Sequence, residues 1–108
     1  MSEKSHRISA SLERARESEA VNELAMVVKS AQSASEQKKA AEELWLKILP
    51  SVRAGIKNLG CLPEEKDDLE QTAYLKLANS ARLWQNAGTN FGTYFFMVVK
   101  NLFYDSKR

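Results

Sequence analysis

The fold of this chain of 108 residues is decided by residues 63–108, which read PEEKDDLEQTAYLKLANSARLWQNAGTNFGTYFFMVVKNLFYDSKR. Two uninterrupted helical patterns fill this stretch, and the polar segment 84–90 separates them. Pro63 and the two glutamates after it predict a helix start, because proline suits the first turn and carboxylates suit the positive end of the helix dipole. We expect this helix to reach Leu83 and the next one to run from Phe91 to near the end of the chain.

Upstream, residues 1–19 carry charges of both signs, and Ile8 and Leu12 are the only bulky apolar residues after Met1. This composition predicts a flexible N-terminal segment that cannot bury much surface. From Ala20 the apolar residues recur at the i, i+3, i+4 and i+7 spacing of an amphipathic helix, and the pattern fades in the serine-rich segment 30–35. We therefore expect a short first helix and one helical domain over residues 20–108.

A long second helix is predicted between Ser33 and Gly60. Ser33 and Glu36 have the spacing of a capping box, in which the serine hydroxyl accepts a hydrogen bond from a backbone N–H and the glutamate reaches back to the cap. Pro50 lacks a backbone N–H, so a kink or a break is expected just before it. Since no alternating strand pattern occurs, the predicted fold class is all-α, a compact bundle of four helices with short connections.

Composition argues against several classes of function. The net charge is only +2 at pH 7, so charge alone does not predict a nucleic-acid partner. Cys61 is the only cysteine and His6 the only histidine, and we therefore expect no catalytic residue, no metal site and no cofactor. A single cysteine forms no internal disulfide, and no long apolar segment is present, which together predict a cytoplasmic protein without a membrane partner.

The helix from Pro63 has two faces of different character. At about 100° per residue, the predicted core stripe consists of Leu69, Ala73, Tyr74, Leu77 and Ala81. The opposite, polar face consists of Glu64, Asp68, Gln71, Thr72, Leu75, Asn79 and Arg82. A solvated face with one stray leucine explains this pattern; the alternative is a protein-docking surface with Leu75 at its centre.

The helix from Phe91 also has two faces. Its predicted core face consists of Phe91, Tyr94, Phe95, Val98, Val99 and Leu102. The other side consists of Thr93, Phe96, Met97, Lys100, Phe103, Tyr104 and Lys107, which is too apolar for an ordinary solvent face. Either another helix covers these aromatic residues, or they bind a partner. Rings interleaved with lysines suit single-stranded nucleic acid, because rings stack on bases while ammonium groups neutralise phosphates.

The segment between these helices is rich in amide and hydroxyl groups, from Gln85, Asn86, Thr89 and Asn90, and it begins with Trp84. A polar loop is the default explanation. A pocket for an extruded base would need the same groups, since a base edge needs donors and acceptors and its ring needs an aromatic wall. Thr89 or Asn90 is also expected to cap the helix that follows.

These residues together resemble a known family. DDLEQTAYLKL at 67–77, NFGTYF at 90–95, VVKNL at 98–102 and Asp105 resemble region 2 of bacterial sigma-70 family sigma factors, and most closely the extracytoplasmic-function type. The likeness extends upstream to about Ala20. The resemblance implies a helical domain that acts in transcription initiation and catalyses no reaction.

The resemblance also implies partners. One is RNA polymerase, through the clamp helices of its β′ subunit, and the other is promoter DNA, as the single non-template strand of the melted −10 element. The candidate polymerase-binding residues are Asp68, Gln71, Thr72, Leu75 and Asn79. The candidate DNA-binding residues are Trp84, Asn86, Thr89, Asn90, Phe96, Lys100, Asn101, Tyr104 and Lys107.

Other interpretations stay open. Because the chain ends at Arg108 before any second DNA-binding domain, we expect either an excised domain or a free-standing region 2 protein from a phage, a mobile element or a split sigma factor. An anti-sigma factor, or a separate chain that supplies −35 recognition, is a further candidate partner. The alternative functions are a polymerase-binding regulator or appropriation factor without its own promoter recognition, and a helical module that forms homodimers through its exposed aromatic residues.

Overall fold

The computed structural model describes residues 17–85 and 88–107. Within these ranges the chain forms four helices and no strand: α1 over 17–30, α2 over Ala34–Asn58, α3 over Pro63–Leu83 and α4 over Phe91–Ser106. The all-α prediction is confirmed. The predicted flexible segment lies outside the described residues, except for 17–19, which belong to α1. No helix in the described ranges is long and apolar enough to cross a membrane.

The start of α2 follows the predicted capping pattern in part. The Ser33 hydroxyl accepts a hydrogen bond from the backbone N–H of Glu36 at 3.1 Å. The Glu36 carboxylate accepts from the backbone N–H of Gln32 at 3.4 Å, one residue before the cap. Two backbone donors at the helix start are thereby satisfied, although the second is not the one that a capping box predicts.

α2 continues through Pro50 as one helix, so the predicted break does not occur. Pro50 has no N–H to donate to the preceding turn, which costs α2 one hydrogen bond. The helix ends where the sequence predicted, because Gly60 has a φ of 76°, the left-handed conformation that glycine adopts without strain. The backbone N–H groups of Leu59 and Gly60 donate to the carbonyls of Ile56 and Lys57 at 3.1 and 3.3 Å.

One apolar core joins the helices. α1 contributes Val21, Ala25 and Val28, and the other helices contribute Leu44, Ile48, Val52, Ile56, Leu69, Ala73, Leu77, Ala81, Phe91, Phe95 and Val99. The prediction that Tyr74 belongs to this core is wrong, since its side chain is 41% exposed. Tyr74 lies about 100° around the helix axis from the buried Ala73, so it stands at the side of α3 and not in its core stripe.

Candidate functional site

The outer face of α3 carries the residues predicted to bind a protein partner. Leu75 is 77% exposed at its centre, and Asp68, Gln71 and Asn79 are exposed around it. Thr72 is half-buried, and its hydroxyl donates to the Asp68 carbonyl at 2.9 Å, which turns the hydroxyl towards its own helix. The fold therefore brings all five predicted residues to one side of α3.

A shallow cleft of about 570 Å³ between α2 and α3 borders Leu75. Tyr74 and Trp45 line it with their rings edge to face, 5.3 Å between centroids. Arg53 closes another side, with its Nη2 atom 3.0 Å from Glu70 Oε1. The hydrogen bond to Glu70, and then the charge of that carboxylate, raise the pKa of Arg53. The sequence prediction missed Trp45 and Tyr74, although the place of Tyr74 directly before Leu75 could have suggested an aromatic neighbour.

Trp84 holds the end of α3 to the start of α4. Its side chain is only 1% exposed, its Nε1 donates to the Thr89 carbonyl at 2.7 Å, and its ring meets Phe91 edge to face at 5.5 Å. The Lys29 ammonium of α1 donates to the Trp84 carbonyl. In this conformation the Trp84 ring is closed to a stacking base, so its visible role is to shape the segment that was predicted to capture one.

The start of α4 is capped by a residue of α1. Asn90 occupies the N-cap position, one of the two residues predicted for it, but its side chain makes no cap bond within the described residues. Asn22 Oδ1 instead accepts from the Phe91 N–H at 2.8 Å, and Asn22 Nδ2 donates to Asn90 Oδ1 at 3.3 Å. This bond gives a partner to one of the backbone N–H groups that the first turn of a helix cannot satisfy within the helix. Local sequence patterns could not find this cap, because its two partners are 69 residues apart.

The outer face of α4 is less exposed than its sequence predicts. Met97 and Tyr104 are 57% and 50% exposed, and Lys100 and Asn101 also face solvent. Phe96 is half-buried because its ring lies against the backbone of α2, where an added Cβ on Gly55 would overlap it. Neighbouring elements thus remove part of the predicted aromatic surface.

Lys107 already has protein partners. Its Nζ atom lies 2.7 Å from Glu65 Oε2 and 5.5 Å from the centre of the Phe103 ring. The hydrogen bond from Lys107 holds the pKa of the Glu65 carboxyl below its usual range. The pair links the C-cap residue of α4 to the first turn of α3, and a phosphate would have to compete with Glu65 for this ammonium group.

A second cleft, of about 710 Å³, opens between α1, α2 and the start of α4. Asn90 and Thr93 line it on the α4 side, Lys47 on the α2 side, and Val21 and Phe96 supply apolar surface. The cleft therefore offers donors, acceptors, a ring and a cation, which are groups that an unpaired nucleotide needs. The carboxylate of Glu17 also lines it and would repel a phosphate.

A comparison with protein families identifies the domain. The family model described as Sigma-70 region 2 matches residues 44–108, well over half of the chain. The chain belongs to the sigma-70 region 2 family. Comparisons with curated proteins and with solved structures give no match.

Sigma-70 region 2 is a transcription-initiation domain that binds RNA polymerase and promoter DNA, and it is not an enzyme family. The prediction of a region 2 domain is confirmed, while its closeness to the extracytoplasmic-function type stays a prediction. In this region 2 domain the matched segment takes in α3, α4 and α2 from Leu44 onwards, and α1 lies before it. Among the candidate DNA-binding residues, Asn86 lies outside the described residues, and its role also stays a prediction.

Proposed function

We propose that this region 2 domain is a sigma-like initiation factor that binds the β′ clamp helices of RNA polymerase and holds the non-template strand of the melted −10 element. The observation that carries the proposal is the outer face of α3, where Leu75 is 77% exposed among polar side chains. An apolar centre with a polar rim is the usual composition of a protein interface. This role would place the protein in the cytoplasm, where RNA polymerase works.

The neighbours of Leu75 support a helical partner. Tyr74 and Trp45 extend the apolar surface from α3 to α2, and aromatic side chains supply much of the binding energy at protein interfaces. Asp68 and Gln71 lie on the same face, where a carboxylate and an amide would select complementary groups on the clamp helices. In this proposal Leu75 supplies most of the binding energy, and the polar residues around it fix how the clamp helices align with α3.

The DNA-binding part of the proposal relies on the α3–α4 connection and the exposed side of α4. Tyr104 offers a ring for stacking, and Lys100 and Asn101 offer donors to phosphates or bases. Asn90 and Thr93 border the larger cleft, which is the proposed place for an extruded base. No reaction is involved: stacking and base capture, worth about 1–3 kcal/mol per base, would favour the melted strand over the duplex.

The proposal is tested by retention of the domain on core RNA polymerase. Leu75→Arg is expected to weaken binding at least about tenfold, because it places a charge at the centre of the interface; Asp68→Ala should weaken it less. Leu46→Arg is the matched control, since Leu46 is 71% exposed on α2 and does not line the cleft at Leu75. Co-purification of Leu75→Arg at the wild-type level, with the control also unchanged, would count against this docking surface.

A second function is favoured by a specific observation. Trp84 is buried, Phe96 packs against α2 and Lys107 pairs with Glu65, whereas Leu75 on the outer face of α3 is exposed. A domain that binds polymerase and lacks promoter recognition of its own would be a regulator or appropriation factor. Transcription in vitro with core enzyme separates the two, because promoter-dependent initiation supports a sigma role and inhibition without initiation supports the regulator. In either case, an anti-sigma factor or a separate chain for −35 recognition is a further proposed partner.

A further inference from the structure

We propose that Asn22 is a positioning residue that fixes the side-chain amide of Asn90, so that the Asn90 NH2 group is presented to the DNA strand and selects the base that binds there. The proposal rests on the proposed contact between the α3–α4 connection and single-stranded promoter DNA. Asn22 lies in α1, outside the residues 44–108 that match the family.

The orientation of the two amides follows from their donors and acceptors. A backbone N–H can only donate, so the Asn22 atom 2.8 Å from the Phe91 nitrogen is the carbonyl oxygen. The other amide atom of Asn22 is then its NH2 group, which can only donate, and it lies 3.3 Å from Asn90. Asn90 must therefore turn its oxygen towards Asn22, and its own NH2 group points away from α1.

The Asn90 NH2 group is available to a ligand. Asn90 is exposed and lies at the edge of the cleft between α1, α2 and α4, and no described residue accepts a hydrogen bond from its amide. If the Asn22 amide rotated to exchange its oxygen and its NH2 group, the part-buried Phe91 N–H at the start of α4 would lose its acceptor. A buried donor left without an acceptor is costly, so the cap of α4 holds the Asn90 amide in one of its two orientations.

An NH2 group discriminates between bases where it meets the exocyclic group at position 6 of a purine or position 4 of a pyrimidine, which is the contact proposed for Asn90, because the ring nitrogens of adenine and cytosine accept hydrogen bonds elsewhere on the base. Guanine O6 and thymine O4 are acceptors, whereas adenine N6 and cytosine N4 are amino donors. Asn90 would donate to the first pair and meet a donor on the second. We expect the base beside Asn90 to be guanine or thymine in preference to adenine or cytosine, by about twofold to tenfold, the value of one hydrogen bond.

Asn22→Asp tests the proposal with a nearly isosteric change. Aspartate still accepts from the Phe91 N–H and is an equally good cap, so the fold should be kept. Its second oxygen cannot donate, and Asn90 must turn its NH2 group inwards and present its oxygen. The expected result is a reversed preference, for adenine or cytosine at this position. Asn90→Asp keeps the bond from Asn22 Nδ2 and also presents an oxygen, so it should produce the same reversal.

The measurement uses the chain bound to core RNA polymerase and a randomised single-stranded DNA library, with the bound fraction sequenced for each variant. Asn22→Asp also adds a negative charge, which weakens binding to every sequence. Introducing Asn22→Asp into the Asn90→Ala variant isolates the effect of the charge. This double variant carries the added charge but has no Asn90 amide, so its base preference should equal that of Asn90→Ala alone. Thermal unfolding of each variant checks that the cap of α4 is kept.

The outcomes separate this inference from the proposed function. Wild-type selection at one position, reversed by both aspartate variants and absent in the Asn90→Ala background, supports the positioning role of Asn22. An unchanged preference in Asn22→Asp, or the same change in the Asn90→Ala background, overturns that role and leaves the sigma-like function standing. If the wild-type complex binds no single strand above background, the proposed DNA contact fails, and the inference fails with it.

Discussion

The outer faces of α3 and α4 have similar sequence patterns, in which apolar residues stand among polar ones, but the fold uses them differently. On α3, Leu75 is 77% exposed and its neighbours leave it open. On α4, Phe96 packs against Gly55 of α2 and Phe103 lies under Lys107. The proposed docking face of α3 is open to solvent, whereas the outer face of α4 is partly covered by its own domain.

This difference shows why apolar content alone does not identify a binding surface. α4 packs against both α2 and α3, which also pack against each other, so α4 meets a neighbour on two sides. Some aromatic side chains on the outer face of α4 therefore stabilise the fold. Among the apolar side chains of this face, only Met97 and Tyr104 are at least half exposed. A comparison of aromatic residues that are buried with those that are exposed tests this division directly.

Trp84 and Tyr104 give the largest expected contrast. Trp84→Ala should lower the free energy of unfolding by about 3–5 kcal/mol, because it leaves a cavity and removes a buried hydrogen bond. Tyr104→Ala should cost less than about 1 kcal/mol in stability and weaken single-strand binding by the loss of one stacked base, about 1–3 kcal/mol. Urea denaturation gives the first quantity, and fluorescence anisotropy of polymerase-bound domain with labelled single strands gives the second.

The opposite result for Trp84 would change the comparison. Trp84→Ala could instead keep the urea midpoint of the wild type and lose DNA binding. The Trp84 ring would then act in DNA binding, for which it would have to leave the core. The α3–α4 connection would then be available to a partner, like the exposed face of α3 and unlike the covered part of α4.

Two glycines give a smaller contrast. Gly55→Ala should lower the free energy of unfolding by about 1–3 kcal/mol, because its new Cβ overlaps the Phe96 ring and forces that ring off its site. Gly92→Ala on α4 adds the same methyl group where no described atom lies within 4 Å, and it should be neutral or stabilising by up to about 1 kcal/mol. Thermal unfolding compares the pair, and equal effects at the two sites would mean that Phe96 does not rest on α2.

The helix bounds were predictable because their signals are local. Pro63 and its glutamates start α3, Ser33 caps α2 and Gly60 ends it, each within a few residues of the boundary. The cap of α4 was not predictable in the same way. Asn22 reaches it only after α1 has packed against the bundle, and no spacing rule connects residues so far apart in the sequence.

The candidate site was predictable to the extent that it lies within a helix. Helical periodicity places Leu75 opposite the core stripe correctly, and it fails for Tyr74, which lies at the flank where a rotation of a few tens of degrees decides exposure. Trp84 follows the last residue of α3, so helical periodicity does not predict where the Trp84 side chain points. Its burial depends on Phe91 and Thr89, whose positions are set by the packing of α4 on α3.

The smallest expected effect concerns Glu65 and Lys107. Since the hydrogen bond from Lys107 lowers the pKa of Glu65 in the folded state, the ionised carboxylate favours folding. This contribution is complete above the pKa of the unfolded glutamate, about 4.3, and is lost as the pH falls through the lower folded value. Wild type and Glu65→Gln should therefore differ slightly in unfolding midpoint at neutral pH and low salt and converge in acid, because an exposed pair is screened by salt.

The same variant tests whether this pair limits the proposed binding of DNA to the outer face of α4. Without the carboxylate, Lys107 can neutralise a phosphate, so Glu65→Gln should strengthen single-strand binding and make its salt dependence steeper by up to about 0.7 in the logarithmic slope. Retention on core polymerase should not change, since Glu65 lies outside the cleft at Leu75. If single-strand binding instead weakens, the pair serves DNA binding by holding the end of α4 in place, and the covered face of α4 is part of the site.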